Sequence, residues 1–440
     1  MRILIIGGGG REHALAKALK RSKQAIELFA IGRNAGMQAL CTMAPLALSD
    51  PPALVDYART KAIDLVVIGP DEPLVCGLAD VFRACHIPCF GPSKEAARLE
   101  GSKSFAKAFM QRHQIPTPSY QVFTDYREAV TYLQRCPVPV VVKADGLALG
   151  KGVVIAFDRE TACEAVQQMM VNNQFGTSGQ TVVIEEYVSG AEVSLLVFSD
   201  GNTAKPMVSA MDHKRAFDDD SGPNTGGMGV IAPNPWYTPE IAALCERTII
   251  EPTLRGMRQE GHLFTGCLFF GLMLTQEGPV VIEYNCRFGD PEAEAVLSLL
   301  DSDLSDILLS CTNQTLHKVP VHFADDCACS IALASGGYPL AYEVGKQILI
   351  GPLSEGVDVL HAGTAFDEKG NLITSSGRVL HVVARSKTLN SAIEQAYCAV
   401  DSISFAGMQY RKDIGKKALL KERSDGTANL GTAQTRISQL

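Results

Sequence analysis

Positive charge is in deficit here: 40 Lys and Arg stand against 48 Asp and Glu, a formal charge of −8. That argues against a non-specific nucleic-acid binder, which carries a basic face. It leaves phosphorylated small molecules open, because a few local Lys and Arg hold a phosphate whatever the total charge. Aromatics are scarce, with one Trp. No run of about 18 apolar residues occurs, so no membrane-spanning helix is expected. The short apolar run after Met1-Arg2 is too brief for a signal-peptide core. The 13 Cys show no repeated C-x-x-C spacing, and no His cluster accompanies Cys85/Cys89 or Cys327/Cys329. They read as reduced, mostly buried thiols of a cytoplasmic protein. No nucleophile-elbow sequence G-x-S-x-G appears, so nucleophilic triad chemistry is not indicated.

The length suits about two to four domains with several cores. Arg2–Ile6, Glu27–Ile31, Ile63–Ile68 and Ile87–Phe90 read as strands, alternating with helical spacing over 12–21 and 74–85. That alternation predicts a doubly wound α/β domain to about Gly101. Strands at 137–144, 153–156 and 181–184 with a helix over 161–170 form a small α+β unit. Longer strands follow at 192–198, 266–274 and 279–284. A third region, about 328–414, is strand-rich. From Glu422 the chain turns polar and reads as a frayed tail.

Gly7-Gly8-Gly9-Gly10-Arg11-Glu12-His13 places a glycine turn between a strand and a helix, a geometry that presents backbone N–H groups to phosphate. It fails the dinucleotide fingerprint, because Glu12 stands where the third glycine belongs. A purely structural turn remains open. Lys143-Ala-Asp145-Gly146-Leu-Ala-Leu-Gly150-Lys151-Gly152 is not a Walker A loop: three residues separate its glycines, and Gly152 follows the Lys. It joins two strands, which suits a glycine flap over phosphates or an ordinary hairpin. Glu283 and Asn285 lie two apart at the end of an apolar strand and share a face. A carboxylate and an amide oxygen suit Mg²⁺, which completes its shell with phosphate and water. Arg287 joins that face if the strand continues. A polar strand edge is the alternative. Asp212-His-Lys214-Arg215 and Gly222-Pro-Asn224-Thr-Gly226-Gly-Met-Gly229 read as a substrate enclosure or as a surface loop. His262, His322 and His381 receive no role.

In shared order from Met1 to about Gly415, these motifs resemble the phosphoribosylamine–glycine ligase family of ATP-grasp enzymes. To them are added Asn34-Ala-Gly36, Gly69-Pro70, Phe90-Gly-Pro92, Gly101-Ser-Lys103, Gly336-Gly-Tyr-Pro339, His361-Ala-Gly-Thr364 and Tyr410-Arg-Lys-Asp-Ile-Gly415. The resemblance implies an α/β protein in three parts: a parallel-sheet domain at 1–102, an ATP-grasp domain of two α+β subdomains at 103–325 (the small one about 119–189), and a mixed β domain at 326–421. Residues 422–440 form the tail. It implies ligation of glycine to 5-phosphoribosylamine with ATP and Mg²⁺ or Mn²⁺, by a monofunctional and monomeric cytoplasmic enzyme with small-molecule partners only. Lys103, Lys143, Gly150, Lys151 and Gly152 are implied at the ATP phosphates, Glu185, Glu186, Tyr187 and Val188 at adenine, and Glu192 at ribose. Glu283 and Asn285 are implied at the metal. Arg287, Asn224 and Asp212 are implied near glycine and the transferred phosphate. Gly9, Gly10, Arg11, Glu12, Asn34 and Gly36 would face the phosphoribosyl group, with Asp71, Lys214, Gly226 and Asp290 as further substrate contacts. Two departures from the family pattern are Asp71-Glu72 after Gly69-Pro70, and Ser376-Gly377 before Arg378.

Overall fold

A computed structural model describes residues 1–148 and 151–424; Gly150 of the glycine loop and the tail from 425 onward lie outside the described residues. The apolar run Arg2–Ile6 forms the central strand of a five-stranded parallel sheet, whose order is Thr42–Ala44, Glu27–Ile31, Arg2–Ile6, Leu65–Ile68, Cys89–Phe90. Ile3, Leu4, Ile5 and Ile6 are fully buried, as expected of a strand covered on both faces. The strand order reverses between Arg2–Ile6 and Leu65–Ile68. Their carboxyl ends run into Gly7 and Gly69, so both glycine turns open at the switch point where such sheets bind ligands. The helical stretch expected at 74–85 is two helices, Asp71–Val75 and Leu78–Ala84. They break at Gly77, which adopts a left-handed conformation at φ 89°.

The small α+β unit is an antiparallel sheet in the order Tyr120–Phe123, Val182–Glu186, Val140–Ala144, Val153–Ala156. A second antiparallel sheet runs Ala204–Pro206, Ala191–Asp200, Thr265–Thr275, Gly278–Asn285. A third combines Met211–Asp212 and Gly229–Ala232 with Cys327–Ser335, Arg378–Ser386 and Val357–His361. Met408–Gln409 also pairs with Cys327–Ser335 in this sheet. Helix Leu389–Val400 covers it with Leu389, Ala392, Ile393 and Ala396. Residues 416–424 are helical. No described helix is long and apolar enough to cross a membrane, and all 13 Cys are free thiols, most of them buried.

Candidate active site

Strand Gly278–Asn285 pairs with Thr265–Thr275, setting Glu283 opposite Gly271 and Asn285 opposite Phe269. Gly271 leaves the space that the Glu283 side chain fills: a Cβ there would lie 2.8 Å from Glu283 Cγ. Burial alone would raise the Glu283 carboxyl, but the ammonium groups of Lys214, Lys143 and Lys103 and then Arg287 hold it below its ordinary value. It stays an anion. Lys214 Nζ stands 3.7 Å from Glu283 and 3.9 Å from Glu192, beyond hydrogen-bond reach of either. The strand ends at Asn285, yet Arg287 still turns to that face. Its Nη2 donates to Asn285 Oδ1 at 3.0 Å and pairs with Glu100 at 3.0 Å. Glu100 is buried and also accepts from the Cys286 amide at 2.7 Å. It therefore fixes Arg287 from behind. One half-buried carboxylate and one amide oxygen, ringed by cations, form a donor set that fits Mg²⁺.

Two lysines beside that face come from the small sheet and its entry helix. Ser102 caps helix Lys103–Arg112, its hydroxyl accepting from the Phe105 amide at 3.2 Å. Ser102 also donates to the Asp145 carboxylate at 3.1 Å, which in turn accepts from the Ser104 amide at 2.6 Å. The glycine-loop motif is thereby clamped to the helix that carries Lys103. Lys103 Nζ donates to the Gly146 carbonyl at 3.1 Å, and burial pushes its ammonium below the ordinary range. Lys143 Nζ reaches the Ile282 carbonyl at 2.9 Å and Glu185 at 2.9 Å. Glu185 pairs as well with Lys107 at 2.9 Å, all three being buried. Burial pushes Lys107 down to about 8 against the pull of Glu185. The Glu185 side chain is thus turned inward to the lysines. Glu186 is exposed and accepts from Ser119 Oγ at 2.8 Å, and the Tyr187 ring lies 5.7 Å from that of Phe157. Val188 follows this strand half-buried. Gly152 packs against Ala144 and Ala148, and Lys151 Nζ donates to the Pro339 carbonyl at 3.1 Å.

The glycine turn is built around Glu12. Its carboxylate accepts from the Gly9 amide at 2.5 Å and from Arg11 Nε at 2.6 Å, capping helix Gly10–Lys20. A side chain on Gly7 or Gly69 would collide with it. Arg11 Nη1 reaches the Phe288 carbonyl at 3.2 Å, tying the turn to the end of the Glu283 strand. Asn34 braces the turn from the other side. Its amide donates to the carbonyls of Gly8 (3.1 Å) and His361 (2.6 Å), and its oxygen accepts from the amides of Gly36 and Met37. Gly36 itself packs against His13 and His361 with no room for a Cβ. Asp71 caps the amide of Glu72 at 2.9 Å.

Behind this turn, Asp290 pairs with Arg378 at 2.9 Å, and Arg378 Nη1 donates to the carbonyls of Gly226 (2.9 Å) and Asp290 (2.8 Å). His381 lies 3.9 Å from Asp290 and 3.8 Å from Glu294, beneath Gly10. Both Glu294 and His381 are buried, with no hydrogen bond to any described side chain or backbone atom. Burial and then Asp290 push Glu294 well above the carboxylate range, and burial lowers His381 to about 4. Both shifts favour the uncharged form of the side chain. Asp212 is raised by burial and then by Glu292, which accepts from Ser194 Oγ at 2.9 Å. Its unpaired Oδ1 faces Gly227. Asn224 ends a short strand opposite Arg215. Sequence reasoning missed Glu100, Lys107, Glu292, Glu294, Arg378 and His381. Only Lys107 left a signal, one helical turn from Lys103 on the same face.

A lysine-bearing antiparallel sheet joined to a second sheet that ends in Glu283 and Asn285 is the arrangement of the ATP-grasp class of ligases. Sequence profiles for the phosphoribosylglycinamide synthetase N domain, ATP-grasp (A) domain and C domain match residues 1–100, 101–293 and 328–417. The chain belongs to this family. It is 45% identical over 423 residues to the phosphoribosylamine–glycine ligase of Rhizobium meliloti, covering 96% of this chain and 100% of that one. It is also 45% identical over 426 residues to a bifunctional purine biosynthetic protein of Schizosaccharomyces pombe, of which it spans 54%. A crystal structure of the Thermotoga maritima phosphoribosylamine–glycine ligase superposes with a TM-score of 0.81 at 33% identity, over 94% of this chain and 100% of that one.

Proposed function

We propose that this chain is a cytoplasmic enzyme of purine synthesis that joins glycine to 5-phosphoribosylamine, splitting ATP to ADP and phosphate and releasing glycinamide ribonucleotide. The observation that carries the reading is the single face on which Glu283, Asn285 and Arg287 stand with Lys214, beside Lys103 and Lys143. An amine does not displace oxygen from a free carboxylate at neutral pH. The γ-phosphoryl group therefore passes to the glycine carboxylate, and the amine of phosphoribosylamine attacks the glycyl phosphate and expels phosphate.

No covalent nucleophile is required of the protein. Glu283 and Asn285 would hold Mg²⁺ or Mn²⁺, which neutralises phosphate charge when bound. Lys103, Lys143, Lys151 and Gly152 would neutralise and cover the polyphosphate, with the 185–188 segment at the adenine. Arg287, held by Glu100, presents a fixed guanidinium to the phosphoryl group in transfer. Asp212 and the Asn224–Gly229 loop sit at the acid side. The glycine turn, at a helix N-terminus, would take the phosphoribosyl phosphate. Incubation of the purified chain with ATP, Mg²⁺, glycine and freshly made phosphoribosylamine tests this. Glycinamide ribonucleotide should form with one ADP per product and only when glycine is the acid. Equal turnover with formate or bicarbonate in its place would reject the assignment.

A further inference from the structure

The turn Gly336–Leu340, which leaves strand Cys327–Ser335 at the edge of the site, has no part in the chemistry above. It is rigidly built. The Tyr338 amide donates to the Ser335 carbonyl and the Leu340 amide to the Gly337 carbonyl, both at 3.0 Å, and Gly337 holds φ at 94°. Gln409 brackets it from the neighbouring strand, accepting from the Gly337 amide at 3.4 Å. Pro339 is buried. Two ends of the site touch this one turn. On the acid side, the Tyr338 hydroxyl accepts from the Gly226 amide at 3.1 Å, the same residue whose carbonyl takes Arg378. The Tyr338 ring fills the space beside Gly377, where any side chain would collide with it. On the nucleotide side, the Pro339 carbonyl takes the Lys151 ammonium at 3.1 Å. A charge-assisted bond to a fixed carbonyl is among the stronger polar contacts available at a surface.

We propose that Tyr338 is a positioning residue for the Asn224–Gly229 loop, and that the Tyr338–Pro339 turn couples nucleotide binding, through Lys151, to the seating of glycine. The proposal rests on the reading of that loop as the acid side of the site. Removing the Tyr338 hydroxyl frees the Gly226 amide without opening a cavity, since the ring stays. Removing the Lys151 charge releases the turn from the nucleotide side. Because both contacts end on one rigid turn, their effects on glycine are not independent.

The test compares Tyr338→Phe, Lys151→Met and the double variant in the full chain, with KM and kcat for glycine measured at saturating ATP and melting temperature as a control. Tyr338→Phe should raise the glycine KM about fivefold, the size of one lost hydrogen bond, with the melting temperature unchanged. Lys151→Met should raise the glycine KM even at saturating ATP. The double variant should show less than the product of the two single effects. An unchanged glycine KM in Tyr338→Phe, or effects that multiply fully in the double variant, would overturn the proposal. Absence of glycine-dependent turnover in the unmodified chain would instead reject the reaction itself.

Discussion

Arg287 depends on Glu100, a residue nearly 190 positions earlier in the chain. The guanidinium lies 3.0 Å from both Glu100 and Asn285, so its direction is set from behind as well as from the Glu283–Asn285 face. Glu283 is different: apart from Lys214 at 3.7 Å, no side chain among the described residues pairs with it, which leaves its oxygens available. Glu283→Gln removes one anion from a ring of cations without changing shape. The variant should fold with an unchanged melting temperature and lose about 10²- to 10³-fold in turnover, the scale of one lost electrostatic contact to a transition state. Near-normal turnover at low Mg²⁺ would exclude Glu283 from the metal site. Glu283 and Asn285 were legible because a strand alternates its faces every second residue, and the apolar run before them marked the strand. Glu100, Glu294 and His381 were not. Their partners lie far away in the chain or in another sheet, and only tertiary packing assembles them.

Most strands of the fold could be read from apolar runs, and Arg2–Ile6, Glu27–Ile31 and Val153–Ala156 match to the residue. The sequence pattern failed where a glycine interrupts it. Apolar spacing persists through Gly77, but a left-handed residue ends one helix and starts another. Sheet membership was also unreadable. Gly229–Ala232 pairs with Cys327–Ser335, more than 90 residues away, and Met211–Asp212 joins that sheet only through Gly229–Ala232; nothing in their own composition says so. The helix that delivers Lys103 has a visible cap in Ser102, although its second bond, to Asp145, is a tertiary contact. Ser102→Ala should cost about 1 kcal/mol of stability as a lost cap. By loosening Lys103, it should raise the KM for ATP about three- to tenfold, with the glycine KM unchanged. Steady-state kinetics in each substrate decide this. An unchanged ATP KM would mean that Asp145 holds the helix without Ser102.

Across the whole molecule, one site draws on four sheets, the small-unit sheet supplying Lys143. Arg11 reaches Phe288, Asn34 reaches His361, and Arg378 reaches Asp290. Burying so many polar groups gives stability a defined pH dependence. Burial lowers His13 to about 3 and His213, His361 and His381 to about 4. Between pH 6.5 and 4 the unfolded chain takes up protons at these positions and the folded chain does not, so stability must fall as pH drops through that window. Glu294 acts in the opposite sense. Its folded pKa is raised, so its contribution is full below about pH 4.5 and is lost as pH rises. Glu294→Gln cannot ionise. Urea denaturation from pH 4 to 8 should show the parent chain weakening below pH 6.5. Glu294→Gln should gain stability on the parent from about pH 5 upward. Parallel curves for the two would mean that Glu294 is ionised in the folded chain.

The most direct test of the central claim follows oxygen rather than product. Glycine carrying ¹⁸O in both carboxylate positions is turned over in unlabelled water with ATP, Mg²⁺ and phosphoribosylamine, and the phosphate released is examined by mass spectrometry. If the carboxylate is activated as glycyl phosphate on the face formed by Glu283, Asn285 and Arg287, each phosphate leaves with one ¹⁸O, because the bond broken by the amine lies between the carbonyl carbon and that oxygen. Unlabelled phosphate formed alongside glycinamide ribonucleotide would contradict carboxylate phosphorylation, and with it the reading of the site.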